Sequence, residues 1–150
     1  MPKRQLIIVA ATVAVALVVT VIVLATQPTG SHAATPAPLT GHSWTLTRLV
    51  VDGNETILSS ANPITLSFEA QDHTLSGSSG CNTYGASYTL TGAQIHITGM
   101  RTTLMLCEDV DVMDLEATYT QALQRVDSVR IDGDTLTLEG DNGQVFMTFV

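Results

Sequence analysis

From Trp44 onward the chain is written in short runs of alternating apolar and polar residues cut by turn residues, and this cadence limits it to a mainly β fold. Residues 44–51, "WTLTRLVV", set Trp44 and Leu46 against Thr45, Thr47 and Arg48, then stop at Asp52-Gly53-Asn54. Runs of the same kind cover 64–68, 74–77, 86–90, 95–98, 126–131, 136–139 and 144–150. A strand points successive side chains to opposite faces, so each run offers one face to a core. Asp132-Gly133, between "VRI" and "DTLTL", is the kind of pair a type I′ hairpin turn uses, and Asp141-Asn142-Gly143 does the same for the last hairpin. About eight short strands at regular spacing predict a sandwich or a small antiparallel barrel.

One stretch departs from this period. Over 111–126, Val112, Leu115, Tyr119, Ala122, Leu123 and Val126 recur at three- and four-residue steps, which predicts one amphipathic helix over about 111–125. Glu108, Asp109, Asp111 and Asp114 suit the positive end of a helix dipole, and Arg125 stands at the other end.

The hydrophobic fraction of 45% and mean hydropathy of +0.27 are high for a domain of strands and polar turns. The excess sits in residues 6–25, "LIIVAATVAVALVVTVIVLA", which carry no charge. As a helix this run reaches roughly 30 Å, the hydrocarbon thickness of a bilayer. Lys3 and Arg4 precede it and no lysine or arginine follows until Arg48, a bias that keeps the N-terminus cytoplasmic and the remainder outside. Residues 1–26 are therefore expected to be an uncleaved signal anchor with its transmembrane part at 6–25, or a signal peptide cut near Ser31-His32-Ala33 to give a secreted chain. The length of the apolar run favours the anchor. Residues 27–38 are small, Pro-punctuated and unable to form a core, hence a linker, and 39–150 make up one domain.

All 14 acidic residues lie in that domain against Arg48, Arg101, Arg125 and Arg130, a formal charge of −10. Binding to phosphate backbones requires the opposite sign, so nucleic acid is excluded as a partner. The same field repels anionic headgroups, leaving the N-terminal segment as the one membrane contact expected.

Cys81 and Cys107 are the two cysteines, both in the exported domain, and an even count in an oxidising compartment makes a disulfide the default. Two alternatives stay open. A nucleophilic Cys81 needs a base such as His73 or His96 and a group to orient it, and no local signature supplies them. A zinc site from two Cys and two His lacks the usual short ligand spacing. The acidic pairs at 108–111 and 132–134 lack the calcium-loop pattern and read as helix-cap and turn residues, so no metal and no cofactor are expected.

Five elements in order carry a family resemblance: Trp44 with Leu46; Gly80-Cys81-Asn82 followed by Tyr84 or Tyr88; Thr103-Leu104-Met105-Leu106-Cys107; Met113, Glu116 and Tyr119; and the hairpin residues Leu136 and Leu138. Together they resemble the META domain, the HslJ-like family, over nearly all of 41–150. The chain departs from that pattern at Leu104, where a basic residue often stands, and in its long apolar segment where a lipid anchor is usual. The resemblance implies a small antiparallel β-barrel-like domain with one helix, in the envelope or secreted. It implies roles in stress response, antibiotic tolerance or virulence, without an agreed reaction. Trp44 is expected as a core anchor and Asn82 as a turn or left-handed residue. Asn82, Tyr84, Arg101 and Glu116 are the candidate polar patch beside Cys81 and Cys107. The function expected is a non-catalytic envelope protein acting on an unknown protein partner. The alternatives are a barrel holding a small apolar ligand and a thiol-dependent enzyme.

Overall fold

The computed structural model describes residues 38–58 and 60–150. The apolar segment at 6–25 and the linker up to position 37 lie outside the described residues. Within those described, no helix is long and apolar enough to cross a membrane.

Nine strands follow in chain order: β1 (Ser43–Val51), β2 (Asn54–Thr56), β3 (Thr65–Glu69), β4 (Thr74–Ser78), β5 (Thr83–Thr91), β6 (Gln94–Thr102), β7 (Val126–Asp132), β8 (Thr135–Gly140) and β9 (Val145–Phe149). A single helix, α1 (Val110–Leu123), lies between β6 and β7. Each strand from β3 onward pairs antiparallel with the next, and β1 pairs with both β3 and β9, closing an eight-stranded barrel. Reciprocal bonds between Thr45 and Val150, at 2.7 and 2.9 Å, continue the closure. Short β2 lies beside the second half of β1 as a hairpin, outside the ring of eight. The sequence pattern did not reveal it because "NET" is too short and polar to show a period.

The period-two faces meet inside the barrel. Leu66 and Phe68, Tyr84, Ala86 and Tyr88, Ile95 and Ile97, Leu136 and Leu138, and Val145, Met147 and Phe149 are all buried. In β1 the inward residues are Trp44, Leu46 and then Leu49, a three-residue step. The register shifts between Leu46 and Arg48 in its pairing with β9, and this bulge turns Arg48 to solvent while returning Leu49 to the core. Trp44 has the anchoring place expected of it, its indole N–H donating to the Leu39 carbonyl at 3.1 Å.

The β6–β7 seam is the weak side of the ring. One residue pair, Gln94 with Ser128, and a bond from the Val129 amide to the Ala93 carbonyl hold it. The chain leaves β6 for 23 residues before β7 begins, and α1 within that crossover adds Leu115, Tyr119, Ala122 and Leu123 to the barrel's apolar cluster. The helix thus adds its apolar face to the barrel's core.

Two local readings are corrected. The turn joining β7 to β8 pairs Asp132 with Thr135, so its central residues are Gly133 and Asp134, and Gly133 alone has positive φ; that is a type II′ pattern rather than I′. The Asp52-Gly53 turn, with both residues at positive φ, is the type I′ hairpin. Arg125, expected at the helix end, lies beyond the last turn. The helix stops at Leu123 because Val126 is drawn into β7, and the Arg125 guanidinium reaches Asp52 at 2.7 Å and Asp141. This fork joins the β1–β2 turn to the β8–β9 loop, and its hydrogen bond to Asp52 holds that carboxyl below the usual carboxylate range.

Burial lifts the Tyr84 and Tyr119 hydroxyls well above the ordinary tyrosine range, and the two share a 2.6 Å hydrogen bond. A folded pKa above the unfolded value means their contribution is whole below about pH 10 and is lost as pH rises beyond it. Phenolate absorbance should therefore show Tyr88 ionising first, with Tyr84 and Tyr119 ionising only as the fold melts. Gly77 offers a second check: a Cβ there would run into the Thr65 carbonyl of β3. The test uses residues 38–150, which hold every described strand and the described core. In it, Gly77→Ala should lower stability to urea by about 3 kcal/mol, whereas Gly92→Ala, at a turn with open space for a Cβ but a φ of +61°, should cost about 1 kcal/mol.

Candidate functional site

The segment "SGSSGCNTY" leaves β4, turns and enters β5. Ser79 bridges to Ile64, and its amide donates to the Asn82 carbonyl at 2.8 Å, which closes the turn. The residue in the left-handed region is Gly80, at φ +110°, where a side chain is disfavoured. Asn82 itself has ordinary φ and contributes through its side chain.

That side chain is buried and fully hydrogen-bonded. Its Nδ2 donates to Glu116 Oε1 at 2.9 Å and to the Met105 carbonyl at 3.2 Å. Its Oδ1 accepts from Thr103 Oγ1 and from the Met105 amide, both at 2.7 Å. An amide side chain has two donors and two acceptor lone pairs, and all four are used here. Glu116 Oε2 in turn accepts from the Asn82 amide and from Ser79 Oγ, each at 2.8 Å. One asparagine thus joins the β4–β5 turn, the β6–α1 crossover and the helix. Beside it Cys81 and Cys107 form a disulfide across 26 residues, with their Cα atoms 6.3 Å apart, inside the usual span.

Of the four polar candidates, the structure brings Asn82 and Glu116 into direct contact. Tyr84 points into the barrel, where its hydroxyl donates to the Thr65 carbonyl at 2.8 Å and meets Tyr119. Arg101 lies exposed on β6 opposite Gly85 and forms no ion pair among the described residues. The sequence reading missed Ser79, Thr103 and the Met105 backbone as members of this network. Thr103 and Met105 belong to the T-x-M-x-C element, so the element was noticed but its hydrogen-bonding task was not.

With both sulfurs bonded to each other, this state holds no thiolate for a nucleophile or a zinc ligand. His73 and His96 stand on the outside of the barrel, apart from the cysteines in sequence and exposed. Among the described residues no three His, Cys, Asp or Glu are grouped to hold a metal ion. The barrel interior is occupied by its own side chains, with Trp44, Leu49, Leu66, Tyr119, Met147 and Phe149 at its centre.

A closed antiparallel barrel, one docked helix and a disulfide beside an asparagine–carboxylate node define a small cross-linked β-barrel domain. The chain belongs to the META domain family, whose model matches residues 37–150. Its fold is similar to that of a protein from Burkholderia xenovorans solved by NMR, with 28% identity, a TM-score of 0.62, and coverage of 82% of this chain and 95% of that one. A second NMR structure is 25% identical with a TM-score of 0.53, covering 71% of this chain and 86% of the other. No curated protein matches the chain.

Asn82→Ala leaves the Met105 amide and one Glu116 oxygen without partners, and should lower stability in urea by about 3 kcal/mol. Asn82→Asp keeps the shape but removes both donors and sets a second carboxylate against Glu116, so it should not rescue the loss.

Proposed function

We propose that this META-domain protein is a non-catalytic component of the cell envelope, held at the membrane by residues 6–25, that supports stress or antibiotic tolerance by binding another envelope protein. The observation that carries this reading is the closed hydrogen-bond set around Asn82. Every polar group of that side chain is engaged by the protein itself, so this polar cluster acts to fix the 103–107 crossover in place. Catalytic clusters keep reactive groups available to a substrate, whereas this one holds a loop. A disulfide and a strongly acidic surface suit an oxidising, extracytoplasmic setting. Family membership is consistent with a role outside the cytoplasm.

Deleting the encoding gene in its host should lower survival after heat shock or exposure to envelope-directed antibiotics. The wild-type gene should restore survival, and a copy lacking residues 1–26 should not. Unchanged survival in every challenge would remove the tolerance role.

A further inference from the structure

Three consecutive large apolar residues, Leu104, Met105 and Leu106, lie in the crossover between β6 and α1, and Leu104 and Leu106 are 94% and 89% exposed. Four residues further on, Val110 at the start of α1 is 66% exposed. A water-facing loop ordinarily avoids such a run. Nor is this loop left to drift: the Met105 amide and carbonyl are both held by Asn82, Thr103 by Asn82 Oδ1, and Cys107 by Cys81. Apolar side chains presented on a fixed backbone lose little freedom on binding, which is how a preorganised contact surface is built.

The chain then runs directly into an acidic groove of about 540 Å³ between α1 and the segment after β2. Its apolar part includes Leu58 and Leu115, with Ile57 94% exposed beside them, and its charged wall carries Asp109, Asp111 and Asp114. No basic residue lines it. Carboxylates along an apolar groove call for a partner with apolar side chains on one side and positive charge on the other. A second copy of this domain would bring the same carboxylates and a formal −10 of its own, and an anionic membrane would repel them.

We propose that Leu104, Met105, Leu106 and Val110, with the adjoining acidic groove, dock a cationic amphipathic helix of a partner protein. The apolar face of that helix covers the leucines and its Lys or Arg side chains meet Asp109, Asp111 and Asp114. This deepens, and rests on, the protein-binding role proposed above.

The test uses residues 38–150 and a labelled 18-residue peptide of Leu and Lys at helical spacing, followed by fluorescence anisotropy. Saturable one-to-one binding is expected, weakened at least tenfold by Leu104→Ser with Leu106→Ser. A like loss is expected from Asp109→Asn with Asp111→Asn and Asp114→Asn, a set in which the asparagine at 109 can still cap the helix. All of these side chains are exposed, so melting temperatures should stay within a few degrees of wild type, and a Leu/Glu peptide of the same pattern should not bind. Equal affinity of wild type and both variants, or no binding at all, overturns this surface. Concentration-dependent dimerisation lost in the leucine variant would assign the face to a second copy instead. Flotation with phosphatidylcholine vesicles lost in that variant would assign it to lipid, and either result overturns the proposal. Failure here with the deletion phenotype intact removes the surface and leaves the envelope role standing.

Discussion

The side-chain amide of Asn82 is the contact on which the arrangement of this domain depends. Three pieces of chain far apart in sequence have to agree on one geometry: the turn before β5, the crossover after β6, and the first half of the helix. None has a regular ladder to the other two. A neutral amide can donate and accept at once, so it satisfies a carboxylate, a carbonyl, an amide and a hydroxyl together. Neither a hydroxyl nor a carboxylate of similar size has that inventory. Buried in low dielectric, each bond is stronger and each missing partner costlier than at the surface, which makes the set act as a unit.

The disulfide reinforces the same place by a different mechanism. Cys81 and Cys107 enclose the β5–β6 hairpin in a covalent ring, and the chain-entropy model gives about 3.5 kcal/mol for a loop of this length. That contribution acts on the unfolded chain, whereas the Asn82 bonds act on the native one. The two are complementary: one limits how far the crossover can stray and the other fixes where it lands.

Much of the barrel was legible in the sequence because alternation and turn chemistry are local signals. Leu66 and Phe68, or Met147 and Phe149, announce their inward face within five residues, and the helix did so through Leu115, Tyr119 and Leu123. What could not be read locally was decided by distant partners. The bulge at Leu46–Arg48 exists only in pairing with β9. Arg125 looked like a helix-end charge until the fold brought Asp52, 73 residues away, within 2.7 Å. Asn82 was singled out as a turn residue, but its four partners come from 103–105 and Glu116, and no spacing rule links those positions. Family likeness marked the right residues without saying that they bond to one another.

The single-rung seam between β6 and β7 gives the barrel a parting line. Elsewhere neighbouring strands are joined by several residue pairs, so opening one boundary must break a ladder; here a single pair and one further backbone bond have to give. Local opening of the ring therefore costs least along this line.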